Sequence, residues 1–154
     1  MPAFLQNIDA EADAAARFVE LLKLEGEALK SGDIDSLDVL LQRKNEFADE
    51  LGALSKQRNS FLSASGFSAD RPGVDAWLAA HPASKLAHKA WSRVLSLAGE
   101  ARELNRLNGE LIQIRMQYNA QALEALLGAT RQPNLYGRDG QSAPQNNRRI
   151  NDAA

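Results

Sequence analysis

The sequence predicts an all-α protein: an antiparallel, coiled-coil-like bundle of three long helices, with a short helix before the third and a flexible C-terminal tail. Apolar residues recur at alternating steps of three and four, which keeps one stripe of a helix against a partner helix. Only 6% of the 154 residues are aromatic. Ala, Leu, Gln, Glu and Arg are abundant, and this mix favours helix over sheet.

The longest predicted helix spans residues 82–128. At 1.5 Å per residue it is roughly 65–70 Å long, too long for a compact globule of this size to bury. Other helices must lie along it, and any surface they leave uncovered is available to another protein. The sequence therefore predicts a helical binding protein. The apolar stripe of this helix contains Leu97, Ala101, Leu104, Leu111, Tyr118, Ala122 and Ala125.

Two further helices are expected to form an antiparallel hairpin before the longest one. The first begins at Pro2 and ends near Ser31 and Gly32, where glycine supplies a left-handed C-cap. Asp33 and Asp35 offer N-cap oxygens to the second helix. The link between the two helices is short, which favours antiparallel neighbours.

Several polar residues fall on or near the apolar stripes. Lys44 and Arg58 lie on the stripe of the second helix, and we expect their stems to cover the seam while their charges stay in water. A role in register or partner recognition is the alternative for these two residues. Asn105 and Asn108 lie near the seam of the third long helix, where a polar residue fixes register. Gly109 in the same helix indicates a close helix approach or a bend.

A break separates the hairpin from the third long helix. Residues 63–73 are dense in Ser, Gly, Asp and Pro, and residues 74–80 are expected to form a short helix. Trp77 on this short helix is expected to cap the open end of the hairpin. Pro82 is expected in the first turn of the third long helix, where proline is tolerated.

The net charge of −2 hides an asymmetry along the chain. Residues 1–50 hold 12 acidic and five basic side chains, and the remaining residues hold eight acidic and 13 basic ones. Either the two halves pair with each other, or the basic half forms a surface for an anionic partner. Nucleic acid is not expected to be that partner, because the arginines are dispersed and lack interleaved aromatic residues.

The absence of several sequence features limits where the protein is expected to be located and which chemistry it is expected to perform. There is no signal peptide and no apolar run of roughly 20 residues, so we expect a soluble cytoplasmic protein without stable membrane insertion. Without cysteine, disulfides and thiolate catalysis are excluded. His81 and His88 have no carboxylate at ligand spacing, and we interpret them as surface residues. No catalytic, metal-binding or cofactor-binding motif is found, so no enzymatic activity, metal or cofactor is expected.

The chain changes character after the third long helix, which predicts a helical bundle in residues 1–128 and a flexible tail in residues 129–154. Large apolar residues are few in the tail, so it cannot offset its ordering entropy alone. Its short motif Leu135-Tyr136-Gly137 has two interpretations. Either the motif inserts its aromatic ring into a partner, or the tyrosine folds back on the bundle or has no role.

The third long helix and the tail carry the most specific motifs: Asn105-x-x-Asn108-Gly109-x-Leu111-Ile112, then Leu123, Leu126 and Leu127-Gly128, then Leu135-Tyr136-Gly137-x-x-Gly140. The second helix adds spaced leucines with Lys44 and Arg58, and the region around the short helix adds Gly66, Gly73 and Trp77. Together these motifs resemble the FlgN-type flagellar export chaperones, which guard hook–filament junction proteins before type III secretion. The extension after Gly140 is not covered by the resemblance.

The resemblance implies a binding function. The end of the third helix would bind an aggregation-prone helical segment of a hook-associated junction protein, the client. One face of this stretch is expected to pack internally while another receives the client helix. The tail would dock on the export gate, and other export-apparatus components are further expected partners. The residues assigned to the client are Leu111, Ile112, Ile114, Tyr118, Leu123, Leu126 and Leu127, and those assigned to the gate are Leu135, Tyr136, Gly137 and Gly140.

A structural coiled-coil adaptor or self-associating scaffold is the alternative function. Apolar stripes at helical spacing drive self-association as readily as they bind a client. A tight dimer that buries the third long helix would favour this alternative.

Overall fold

Four α-helices make up the part of the chain that the structure describes. This computed structural model describes the backbone of residues 2–130 and the side chains of residues 3–128. Its helices are α1 (Pro2–Ser31), α2 (Ile34–Ala64), α3 (Arg71–Ala80) and α4 (Lys85–Thr130). The chain divides into two compact units, residues 1–111 and 112–154, and α4 contributes to both. The prediction of three long helices with a short helix before the last is confirmed.

The link between α1 and α2 has the predicted caps. Gly32 adopts a φ of 73°, the left-handed conformation that favours glycine. The Asp33 backbone N–H donates to the Ala28 carbonyl oxygen at 3.0 Å, which is the longer bond of a Schellman motif. The Asp33 carboxylate then accepts from the Ser36 backbone N–H at 3.2 Å and caps α2. Hydrogen bonds from Ser36 hold the pKa of Asp33 below its ordinary value.

Ion pairs show that α1 and α2 run antiparallel. Arg17 pairs with Glu50 at 2.8 Å, and Glu25 pairs with Lys44 at 3.2 Å. A residue further along α1 therefore meets a residue earlier in α2. The Arg17 pair is exposed and contributes little stability, whereas the Glu25 pair is mostly buried.

An apolar cluster forms where the open end of the α1–α2 hairpin meets α3 and the start of α4. Trp77 of α3 is buried there, and its ring lies 4.6 Å from that of Phe4 between centroids. Trp77 therefore caps the hairpin as predicted. Burial of such large side chains is the main favourable contribution to folding. The buried members are Phe4, Ile8, Ala12, Leu62, Val74, Trp77, Leu78, Ala87, Ala90, Trp91 and Val94.

The start of α3 is fixed by contacts that the sequence interpretation did not include. The Asp70 carboxylate accepts from the Gly73 backbone N–H at 2.9 Å and from the Ser68 hydroxyl at 2.6 Å. These hydrogen bonds, with the Ser68 bond the stronger influence, lower the pKa of Asp70. A Cβ atom on Gly73 would lie 1.7 Å from the Ser68 carbonyl oxygen, so this close approach requires glycine.

The expected position of Pro82 in the first turn of the long helix is wrong. The Ser84 backbone N–H donates to the His81 carbonyl oxygen at 3.1 Å, so Pro82 occupies a tight turn and α4 begins at Lys85. Proline at the second position of such a turn is favoured because its φ is already fixed there.

A buried polar layer lies beside the apolar cluster. Arg58 donates to the Glu11 carboxylate, and the two side chains are only 11% and 6% exposed. The Arg58 guanidinium also lies 5.1 Å from the ring centroid of Trp91. Because Lys44, earlier in α2, meets Asn105, later in α4, the two helices run antiparallel. The expectation that Arg58 keeps its charge in water is therefore wrong, because the charge is neutralised by a partner helix instead. Burial raises the pKa of Glu11, and the nearby Arg58 cation opposes this rise.

A second polar layer connects all three long helices. The Asn108 side-chain amide donates to the Leu22 carbonyl oxygen at 2.8 Å and to the Glu25 carboxylate at 2.9 Å. Lys44 donates to Glu25 at 3.2 Å and to the Asn105 amide oxygen at 3.0 Å. Both asparagines thus make interhelical bonds, as expected for polar residues that fix register. The alternative role of Lys44, in register, fits these contacts better than a solvated charge.

The close helix approach lies at a different glycine from the one predicted. A Cβ atom on Gly26 would lie 2.9 Å from the Asn108 amide oxygen, so α1 leaves room for this side chain. A Cβ atom on Gly109 would meet no neighbouring atom within 4 Å, so the prediction of a close approach there is wrong. Two ion pairs join the acidic residues of the first 50 positions to basic residues later in the chain, as the pairing interpretation expects: Glu11 with Arg58, and Asp13 with Arg93.

We expect Arg58→Met to lower the free energy of unfolding by about 3–5 kcal/mol at neutral pH, because it leaves the Glu11 carboxylate buried without its cation. In the variant, the pKa of folded Glu11 rises further above its unfolded value. Stability is then retained where the carboxyl is protonated and is lost as the pH rises through the folded pKa. The loss should therefore shrink as the pH falls through the raised pKa of folded Glu11 and be smallest below the unfolded pKa of about 4.3. Urea denaturation across this pH range measures both effects.

Arg43→Met is the matched control, because Arg43 is an exposed arginine on the same helix. We expect its unfolding free energy to change by no more than about 0.5 kcal/mol. Equal losses in the two variants, or a loss in Arg58→Met that does not vary with pH, would contradict the role assigned to the buried pair.

Candidate functional site

The densely charged part of α4 ends at Glu110. Arg106 pairs with Glu103 at 2.7 Å and with Glu110. The hydrogen bond from Arg106 holds the pKa of the Glu103 carboxyl below its ordinary value. Residues 112–128, in contrast, contain one basic and one acidic side chain. Ion pairing can therefore contribute little to binding by this part of α4.

Large apolar side chains of this weakly charged stretch are exposed to water. Their exposed fractions range from 42% for Ile112 to 67% for Tyr118. Among the residues that the structure describes, six of the twelve exposed large hydrophobic side chains lie between residues 112 and 126. Isolated exposed apolar residues are normal, whereas such a concentration marks an interaction surface. The six are Ile112, Ile114, Met116, Tyr118, Leu123 and Leu126.

Most of the exposed apolar residues of this stretch occupy two faces of the helix, and Leu126 lies between the two. At about 100° per residue, the centres of the two faces are roughly 150° apart around the helix axis. The first, called the Ile112 face, contains Ile112, Met116 and Leu123. The second, called the Tyr118 face, contains Ile114, Tyr118, Ala122 and Ala125, all of them exposed.

Polar side chains separate the two faces. Gln113, Gln117 and Gln121 follow one another at four-residue steps and form a row between the faces on one side of the helix. On the other side, the polar side chains of Arg115 and Asn119 lie between the faces together with Leu126. An uncharged glutamine row keeps the segment hydrated without attracting a strongly charged partner.

Most of the residues predicted to bind the client lie at this surface. Ile112, Ile114, Tyr118, Leu123 and Leu126 are exposed. Leu127 is half-buried, as is Leu111, the last residue of the first unit. The predicted gate-docking residues Leu135, Tyr136, Gly137 and Gly140 lie outside the described residues.

The expectation that one face of this stretch packs internally differs from the structure. Every side chain from residue 112 to residue 126 is exposed, so neither apolar face is covered by described residues of this chain. Met116, which was not among the client-binding residues predicted from the sequence, completes the Ile112 face. Its spacing of four residues from Ile112 and seven from Leu123 is the signal that identifies it.

No group of three or more metal-ligating His, Asp or Glu side chains is present among the described residues. An open depression of about 520 Å³ on α2 contains one ionisable side chain, Lys56, and so offers no acid–base pair. It is lined by Gly52, Ser55, Lys56, Asn59, Ser60, Ser63 and Ala69.

The two histidines make structural contacts. The His81 ring stacks on Trp77 at 4.0 Å between centroids, and its Nδ1 donates to the Trp77 carbonyl oxygen at 2.7 Å. His88 Nε2 lies 3.3 Å from the His81 carbonyl oxygen. Both rings therefore support the junction between α3 and α4.

None of the helices described here combines the length and apolar character needed to cross a membrane. What the described residues do offer is a helical bundle with one concentrated, weakly charged apolar surface on its longest helix. These features define an all-helical binding protein.

The chain belongs to the FlgN protein family, whose pattern it matches over residues 1–144. A similar protein is the "Flagella synthesis protein FlgN" of Proteus mirabilis, which is 26% identical over 144 residues that cover 92% of this chain and 91% of the relative. No solved structure matches the chain. Membership of the FlgN family confirms the resemblance and implies a role as a flagellar export chaperone. The family is not enzymatic, in agreement with the sequence analysis.

We expect the double substitution Ile114→Ala and Tyr118→Ala to change the free energy of unfolding by no more than about 0.5–1 kcal/mol, because both side chains are already exposed in the folded protein. In the contrasting variant Leu62→Ala, a fully buried side chain is truncated and the loss should be about 2–5 kcal/mol. Urea denaturation compares the two. A large loss from the exposed pair would show that these residues are covered in the folded chain.

Proposed function

We propose that this chain is a cytoplasmic chaperone that binds hook-associated junction proteins and delivers them to the flagellar export gate. The observation that supports this proposal most directly is the concentration of exposed apolar side chains between residues 112 and 126 in a member of the FlgN family. A surface of this kind binds another apolar surface rather than a small ligand. Neither nucleic acid nor stable membrane insertion is part of the proposed function.

The proposed mechanism is mass action. A client helix with an apolar face is prone to aggregate or to assemble early while that face is in water. Burying it against α4 lowers the concentration of the exposed form without consuming ATP. Release requires only that another component compete for the client or for the chaperone.

The proposed client site consists of the residues predicted from the sequence, together with Met116: Leu111, Ile112, Ile114, Met116, Tyr118, Leu123, Leu126 and Leu127. Apolar anchors at three- and four-residue steps on a helix suit a second helix laid alongside it. Because this stretch contains a single pair of opposite charges, apolar burial must supply most of the affinity. High salt should therefore weaken client binding little.

Delivery is assigned to the tail. The support for this part of the proposal is the sequence motif itself, Leu135-Tyr136-Gly137-x-x-Gly140, in a chain whose family match extends to residue 144. A tyrosine beside a glycine can insert a large, amphipathic ring while the backbone approaches closely. The proposed partners are the export gate and other export-apparatus components.

We expect the triple variant Leu123→Ala, Leu126→Ala and Leu127→Ala to weaken client binding by about 10- to 100-fold, because truncating apolar anchors removes buried contact area at the interface. The measurement is a calorimetric titration with the hook-associated junction protein of the same organism. Helicity should be unchanged, since alanine is the best helix former.

The matched control is Gln113→Ala with Gln117→Ala, which alters the polar row of the same helix. Its client affinity should stay within about twofold of the unmodified chain, or about 0.4 kcal/mol. If the leucine variant binds the client as tightly as the control does, the client site lies elsewhere.

A chain truncated after Thr130 should fold and bind its client normally but fail to support export. The buried cluster and both polar layers lie before residue 111, so the truncation removes none of their residues. Circular dichroism, client titration and a secretion assay in cells that lack the full-length protein measure the three properties. A full-length Tyr136→Ala variant separates loss of the motif from loss of length.

Normal secretion by the truncated chain would refute the assignment of delivery to the tail and would leave the client site untouched. Loss of client binding by the same truncation would instead place part of the client site after residue 130.

A self-associating scaffold is the second candidate function, and the exposure of both apolar faces is the observation that favours it. Sedimentation velocity distinguishes the two candidates. A tight dimer at low concentration that dissociates in the Ile114→Ala and Tyr118→Ala variant would favour the scaffold, and a monomer would favour the chaperone.

A further inference from the structure

Building on the chaperone function proposed above, we infer that one client molecule contributes two helices to the complex. One helix lies on the Ile112 face and the other on the Tyr118 face, so that residues 112–126 of α4 are held between them. The sequence led us to expect one client helix on one face of this stretch. The inference here is that two client helices bind, one on each face.

The separation of the two faces excludes a single partner helix. Their centres are roughly 150° apart around the axis, whereas the apolar stripe by which one helix packs on another is about 100° wide. A partner helix of about 10 Å diameter centred on Met116 would leave Tyr118 in water. One centred on Leu126, between the faces, would leave both Ile114 and Met116 in water. A straight helix cannot move from one face to the other within four turns.

Both faces have the composition of a contact surface. Ile112 and Met116 are 42% and 61% exposed on one face, and Ile114 and Tyr118 are 48% and 67% exposed on the other. Each pair has a four-residue spacing, which places the two side chains one above the other. Each face therefore carries at least two adjacent large apolar side chains, unlike an ordinary solvated face with one isolated apolar residue.

The small size of each face favours two helices of one client over two separate clients. Each face presents only two or three large side chains, too little apolar area to offset the entropy of association alone. When two helices belong to one molecule, binding of the first raises the effective concentration of the second. The pair then binds where either helix alone is weak.

Charge further defines the client. With only Arg115 and Glu124 charged in residues 112–128, the surface cannot select a strongly charged helix. The fitting partner is a pair of amphipathic helices whose contact faces are apolar and nearly uncharged.

A second copy of this chain would cover the surface less completely. In a symmetric dimer, each copy contributes the same patch to the contact. Two copies that met through the Ile112 face would leave both Tyr118 faces in water, and the reverse pairing would leave both Ile112 faces. A two-helix client covers both faces at once.

Three interleaved double substitutions test the inference within one stretch of helix. Ile112→Ala with Met116→Ala alters the Ile112 face, and Ile114→Ala with Tyr118→Ala alters the Tyr118 face. Gln113→Ala with Gln117→Ala alters the polar row and serves as the control. In all three variants the two substituted residues are four positions apart and are replaced by alanine, so the effects on helix propensity are comparable.

Affinity for the full-length junction protein of the same organism is measured by calorimetry, and the stoichiometry by sedimentation velocity. We expect each apolar pair to lower the affinity by about tenfold or more, and the glutamine pair to change it by less than about twofold. The complex should contain one client per chain. Synthetic peptides, each covering one client helix, should bind weakly, and those that bind should respond to only one of the two apolar pairs.

The outcomes that overturn the inference are distinct from failure of the chaperone function. If one apolar pair weakens binding and the other behaves like the glutamine control, a single client helix is bound and the chaperone function stands. If neither pair matters while the client still binds, the proposed client site is wrong as well. If an apolar pair abolishes self-association but not client binding, the second copy is the occupant of that face.

Discussion

The side-chain amide of Asn108 is the contact on which the arrangement of the three long helices depends. It donates to the Leu22 carbonyl oxygen and to the Glu25 carboxylate, and Glu25 pairs with Lys44 on α2. Buried polar groups that are hydrogen-bonded between helices favour one register, because a shift would break these bonds and leave a donor or a carboxylate unpaired. Gly26 makes the arrangement possible, since a side chain there would meet the amide oxygen. Nearer the open end of the hairpin, the ion pair between Glu11 and Arg58 fixes the register of α1 against α2 in the same way.

Features that depend on local sequence could be predicted, and those that depend on a particular partner could not. The three-and-four spacing located the long helices, and Gly32 and Asp33 ended one and began the next as expected. The sequence places Arg58 on an apolar stripe. Whether its charge stays in water or is buried depends on Glu11, which lies on another helix. Helical periodicity states which side chains share a face, and it does not state which residue of a neighbouring helix they meet.

The same limit applies to the candidate site. The low charge and the apolar content of residues 112–126 are visible in the sequence, and they suffice to choose this stretch. Whether a stripe is covered is not visible, because a buried stripe and a docking stripe have the same spacing. The sequence interpretation accordingly expected one of the two faces to pack internally, and the structure exposes both. Stability and the proposed binding thus depend on different side chains, and the large buried cluster around Trp77 contributes to stability.

The exposed faces of α4 have a consequence for the chaperone when it carries no cargo. An empty copy presents to water the kind of apolar surface that it is proposed to cover in its clients, and such surfaces promote aggregation. The amount of exposed apolar surface in a cell then depends on the ratio of client-free to client-bound copies of the chaperone. Synthesis of chaperone and cargo in matched amounts would protect both molecules, whereas an excess of either would leave one of them without cover.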